Sequence, residues 1–224
     1  MKIPELFLQE KGLNERVDRL LKHSAKNHTK TVERIICQCE YFLEQEQGVN
    51  GDNKYIIGRT LANQIFYTKR DVEEFSKVLM KDPILSNVLE QESGLGFFFS
   101  ALINKVLKKK EKINLHMGGK INGMGAYLER GELLVHGDVH NWAGFFLNGG
   151  TVKILGSARD YTAHGMNKGR LYVKDNLGGT VGYQAIGGEI LFDNFDGGTV
   201  AMSCQANVYL KEKKIWPKEK VKNY

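Results

Sequence analysis

No run of about 18 apolar residues occurs anywhere in this sequence, so neither a membrane-spanning helix nor a membrane partner is expected. No secretory leader pattern opens the chain. Cysteine is scarce. Three among 224 residues is an odd number, which excludes a fully paired disulfide framework and points to a reducing, cytoplasmic setting. Cys37-Gln-Cys39 lacks the CxxC spacing and the second pair that zinc or redox chemistry uses, so we read one buried and one exposed thiol. Catalytic motifs are missing too: there is no GxSxG, no HExxH and no paired-carboxylate motif in a suitable setting. Gly118 to Gly125 is glycine-rich, but it departs from GxxxxGK(S/T) and no helix follows it, which excludes a phosphate-cradling loop. Asn27-His-Thr29 matches a glycosylation sequon by coincidence. Nor is there a basic stripe. Net charge is +6, yet residues 113–210 hold 7 Lys/Arg against 8 Asp/Glu; the excess lies in residues 1–112 (19 against 16) and 211–224 (6 against 2). A nucleic-acid partner is therefore not expected, and no cofactor is predicted.

What is present is a repeat. Gly131-Glu-Leu-Leu-Val-His-Gly137, Gly150-Thr-Val-Lys-Ile-Leu-Gly156, Gly169-Arg-Leu-Tyr-Val-Lys-Asp175 and Gly188-Glu-Ile-Leu-Phe-Asp-Asn194 recur at a step of 19 residues without insertion or deletion. Leu133, Val152, Leu171 and Ile190 share one column, and Val135, Ile154, Val173 and Phe192 another. Gly144, Ala163, Gly182 and Ala201 form a third that is always small. A weaker copy precedes them over residues 113–130, with Gly118 under Gly137 and Gly125 under Gly144. A fixed period with apolar columns means stacked units rather than one closed core. Within each unit apolar and polar residues alternate, the period of a strand buried on one face. Gly, Asn and Asp then interrupt at fixed offsets, as turns require. Nineteen residues are too few for two helices with connections but suffice for three short strands and three bends. Five coils stacked at about 4.8 Å make a rod of about 24 Å. The small column belongs where a bend brings backbones together, and the Gly pairs at 149–150 and 187–188 mark a corner that needs φ > 0. Asp175 and Asn194 stand where Gly137 and Gly156 do. Both tolerate left-handed backbone better than other side-chain-bearing residues, so the coil stays intact.

The pattern Gly-x-Leu/Ile-x-Val-x-Gly, a small residue, then Gly-Gly resembles the GXGXG repeat domain, most of all at Gly150–Gly156 and Ala163–Gly169. That domain occurs at the C-terminus of the glutamate synthase large subunit and in one of the subunits of formylmethanofuran dehydrogenase. The resemblance covers residues 113–208 and implies a right-handed parallel β-helix. It implies no catalytic residue, because in glutamate synthase the domain is structural and packs between the catalytic domains.

Residues 1–112 have no repeat and little glycine. Pro4 suits the first turn of a short helix or arm from Ile3 to Gly12. Segments 14–26, 31–47 and 55–67 carry apolar residues at helical spacing, with a turn cluster at 48–53. Thr68-Lys-Arg-Asp71 has the form of a capping box opening a helix to Met80, and Asp82-Pro83 opens another to Glu90. Ser93 to Lys110 is the most apolar helix. We read Phe97, Phe98 and Phe99 as core, and Lys108, Lys109 and Lys110 as complements to the helix dipole. The expected architecture is α+β in two parts: an all-α domain over 1–112, a right-handed parallel β-helix of about five 19-residue coils over 113–208, and a basic tail over 209–224. The open end of a β-helix invites polymerisation, so we expect the helical domain to cover the first coil. We expect Val208–Leu210 with Ile215–Pro217 to cover the last, in a lysine-rich setting.

Candidate sites are few. His136, Asp138 and His140 are ligand types that zinc accepts. The same columns hold Leu155, Lys174 and Asp193 in other coils, so outward-facing positions explain them and no metal is predicted. The 19-residue step sets Arg159 beside His140, with Trp142, Tyr161 and His164 near, which is either a binding ladder or ordinary solvated side chains. Trp142, Phe145, Phe146, Tyr161 and Tyr183 are interface anchors if exposed and rod lining if not. These readings lead to a non-catalytic scaffold that mediates assembly, with a protein partner or by self-association as a homo-oligomer. The rival, which the resemblance implies, is a non-catalytic subunit of a glutamate synthase-like or formylmethanofuran dehydrogenase-like oxidoreductase or amidotransferase complex. A stand-alone enzyme with a site between the two parts has no residue pattern behind it.

Overall fold

The computed structural model describes residues 29–81 and 93–217. The helices expected over 3–12, 14–26 and 83–90 lie outside the described residues. Among those described, four helices precede a parallel β-solenoid of about five turns. Helix α1 (Lys30–Gln45) opens where the Thr29 hydroxyl accepts from Val32 N–H, and it buries Val32, Ile35, Ile36, Cys39 and Phe42 as one stripe. Helix α2 (Gly51–Asn63) begins inside the expected turn cluster, because the Asn50 side chain accepts from Asn53 N–H at 3.0 Å and caps it. Helix α3 (Lys69–Lys81) carries the expected capping box: Thr68 N–H donates to Asp71 at 2.8 Å, and Asp71 N–H donates back to the Thr68 hydroxyl at 3.4 Å. Helix α4 (Leu95–Val106) stops four residues before Lys110, so the lysine triplet lies in the following turn and does not complement its dipole. A different lysine does that work at α2: Lys105 donates to the Ala62 and Ile65 carbonyls at 2.7 and 2.8 Å, beside the C-terminus of that helix.

The strands are β1 (Lys112–His116), β2 (Glu132–His136), β3 (Asn148–Ile154), β4 (Lys168–Leu177), β5 (Thr180–Val181), β6 (Glu189–Phe195), β7 (Thr199–Val200), β8 (Asn207–Leu210) and β9 (Lys213–Trp216). One sheet runs β1-β2-β3-β4-β6-β8-β9, parallel up to β8. Leu133 pairs with Val152, Val152 with Leu171, and Leu171 with Ile190, the residues of one sequence column. Each alternate residue of these strands points inward and is buried. Three equal strands per coil are not what forms. The second face is the short β5–β7 pair with isolated bridges, and turns make up most of the rest. The first coil is also one residue out of the expected register. Ile113 pairs with Leu133, and a Cβ on Gly137 would strike the Met117 carbonyl, so Met117 rather than Gly118 faces Gly137.

The corners explain the small column. Phe145 N–H donates to Trp142 O and Leu147 N–H to Gly144 O, closing two consecutive turns. Their third residues, Gly144 (φ +67) and Phe146 (φ +47), are left-handed, as a type II turn demands. In the next coil Ala163 (φ +59) and Gly165 (φ +63) repeat this. Left-handed backbone alone does not keep the column small, since Phe146 shares that conformation; at Gly182 an added Cβ would also come 2.5 Å from the Cys204 sulfur. Asp175 and Asn194 do not need that conformation, since both sit inside strands β4 and β6.

Helices α3 and α4 pack against the first coil, α3 along β1 and α4 along the turns that follow it. A Cβ on Gly96 would come 2.5 Å from Asn122 O and Met124 N, so the two backbones touch. Ser100 accepts from Ala126 N–H at 3.0 Å. Asn104 donates to Tyr127 O and accepts from Glu129 N–H, both at 3.2 Å. Asn114 N–H donates to Glu73 of α3 at 3.0 Å, and Asn122 N–H to Ser93 O at 2.8 Å. Beneath them Phe97 packs on Trp142 and Phe145, while Phe98 and Phe99 pack on Phe42 and Phe75. At the far end residues 209–210 and 213–216 of the expected tail belong to the sheet. β9 turns back antiparallel on β8, and Trp216 Nε1 donates to Cys204 O at 2.7 Å.

Candidate interaction surface

A polar ladder fixes one flank of the coils. The Asn122 side chain accepts from Asn141 N–H at 2.9 Å, Asn141 accepts from Asp160 N–H at 3.1 Å, and Asp160 accepts from Thr180 N–H at 2.6 Å. Beside it lies a groove of about 560 Å³, lined among others by His140, Ser157, Arg159, Asp160, Asn176 and Asp196. The sequence step brings His140 and Arg159 together here: Arg159 N–H donates to His140 O at 3.0 Å. Arg159 is exposed, and the His140 ring lies 3.3 Å from Asn122 Oδ1. One arginine and two aspartates line the groove, and the Asp160 carboxylate also accepts from Tyr161 N–H.

The adjoining corner is aromatic. Trp142 stands 6.4 Å from Tyr161, and His164 sits 5.2 to 6.2 Å from Phe145, Phe146, Tyr161 and Tyr183. Burial lowers the His164 pKa, opposed by the charge of Asp52, and its Nδ1 is buried without a hydrogen-bond partner among the described residues. Phe145, His164, Tyr183 and Met202 form one column of the repeat. Phe145 is 7% exposed, Tyr183 40% and Met202 95%, with Ile186 beside them at 61%. Tyr161 is exposed too. Trp142 and Phe146 are only part-buried and Phe145 lines the rod, so the anchors expected from the sequence divide between both roles. Met202 and Ile186 are exposed residues that the sequence reading does not single out. The place of Met202 in the 19-residue column is the signal that could have found it.

The metal-like cluster is dispersed. His136 stacks on His116 on the outer sheet face, Asp138 accepts from Ser157 N–H at 2.7 Å, and His140 belongs to the groove. No group of three or more His, Cys, Asp or Glu able to hold a metal occurs among the described residues. Cys39 is buried, and Cys37 is half-buried rather than exposed. Burial, with Glu40 and Glu33 adding to it, pushes the Cys37 thiol up to about 11. No helix among the described residues is long and apolar enough to cross a membrane. Comparison with family models, curated proteins and solved structures returns no match for this chain.

Proposed function

We propose that this chain is a non-catalytic scaffold whose solenoid presents a lateral surface to a protein partner or a second copy of itself. One observation carries the reading: an apolar strip, Tyr161, Tyr183, Ile186 and Met202, stays exposed along the rod while the sheet's first edge is met by α3. Exposed aromatic and Met side chains in a line are anchors for an interface, not for a reaction. The coil is taken as right-handed with a 19-residue period, of the GXGXG kind. That resemblance favours the second reading, a structural subunit of a glutamate synthase-like or formylmethanofuran dehydrogenase-like complex.

The test uses the full chain, purified with bound partners, and a Tyr183→Ser/Met202→Ser variant. A stoichiometric partner or a homo-oligomer that the variant loses, with its circular dichroism unchanged, is the expected result. Flavin or iron–sulfur absorbance on that partner selects the second reading. A monomer with no retained partner, or an assembly indifferent to both substitutions, overturns the proposal.

A further inference from the structure

His116 and His136 take no part in the groove or the aromatic corner. They end β1 and β2 and are registered partners in the parallel sheet. Such partners project from the same face about 4.8 Å apart. Here the rings stack at 4.5 Å between centroids and within 10° of parallel. His116 is exposed and His136 half-buried, so the edge of the pair is open to solvent. Neither ring has a hydrogen-bond partner or an ion pair among the described residues. The His116 backbone N–H donates to the Ser76 hydroxyl of α3 at 3.4 Å. Burial, and then the neighbouring imidazole, lower the His136 pKa.

We propose that His116 and His136 form a two-imidazole site for a borderline divalent transition ion, zinc, nickel or copper, with water completing the coordination. Imidazole is the nitrogen donor these ions share. Metal–nitrogen bonds of about 2.0–2.1 Å let two ligating nitrogens lie at most about 4.2 Å apart. In the stack the in-plane lone pairs of the two rings run nearly parallel, so binding requires both rings to swing out of the stacked arrangement until one nitrogen of each converges on the ion. Bridging β1 and β2 would also tie the first coil to the second, so the ion stabilises the folded chain over the unfolded one. With two protein ligands, the site is weaker than a three- or four-ligand structural zinc site.

The probe is Cu2+ alone, the strongest binder of the divalent series, added to the tag-free full chain. Calorimetry and electron paramagnetic resonance are read together. One equivalent is expected, with hyperfine structure from two nitrogens, displaced by excess Zn2+. His116→Gln and His136→Gln each weaken binding by roughly tenfold or more and remove the two-nitrogen signature. His140→Gln and His164→Gln leave it unchanged. Circular dichroism verifies that each variant is folded. Binding that survives both substitutions, or no binding tighter than millimolar, overturns the site.

Discussion

Gly144 and Gly137, in two different columns of the repeat, separate two reasons for a residue to be glycine. At Gly144 the demand is φ +67, and an added Cβ would come no closer than 3.3 Å to a Leu171 methyl, a side-chain atom. Ala163 already occupies the equivalent position of the next coil at φ +59. At Gly137 the obstacle is the Met117 carbonyl, part of the neighbouring backbone, which cannot move without breaking the pairing of β1 with β2. Gly144→Ala therefore carries left-handed strain of about 1–2 kcal/mol, partly offset by a less flexible unfolded chain. Gly137→Ala loses more than about 4 kcal/mol, in the range reserved for steric disruption of a core. Urea unfolding of the two variants checks this; equal losses would refute the distinction.

At the scale of elements, α4 does two jobs with two faces. Its phenylalanines are legible in the sequence as a hydrophobic helix. Ser100 and Asn104 are not, because a polar residue one turn from another carries no sign of whether it faces water or an open strand edge. The Asn104 amide meets Tyr55 OH, Tyr127 O and Glu129 N–H. Asn104→Ala strips these together and leaves backbone groups at the junction without partners. A loss of about 2 kcal/mol is expected, with faster hydrogen exchange at the Glu129 amide and no change at the β6–β8 end. Unchanged exchange at Glu129 would mean that water replaces the side chain and that α4 rests on its apolar face alone. Helix limits divide in the same way. Asn50 and the Thr68–Asp71 box set helix starts through local hydrogen bonds, whereas the end of α4 is set by contact with the first coil and cannot be read locally.

For the whole molecule, the repeat makes the sheet legible because identical columns must pair with each other. It cannot show which members of a column are exposed. Phe145 and Met202 share a column, yet the first is buried under Phe97 and the second is almost fully open. The difference is distance from the helical part, a long-range fact that no period encodes. The same dependence predicts that the helical part keeps the chain soluble. Without it, Ile113, Leu115, Met117 and Ile121, all buried, would be exposed at a strand edge with the Asn114 and Asn122 N–H groups unpaired. The opposite end is protected differently, by an antiparallel strand bearing Lys213 and Lys214, which repel another lysine-rich edge. A chain beginning at residue 111 thus has one protected edge and one open edge, and a second copy can add only at the open one. Aggregates or filaments are expected for that fragment, growing with concentration in sedimentation velocity, whereas the full chain keeps a defined mass. Lys213→Thr/Lys214→Thr in the fragment removes the remaining protection and should accelerate growth. A soluble, monomeric and folded fragment would show that the solenoid closes its own first edge, and that α4 serves the partner surface instead.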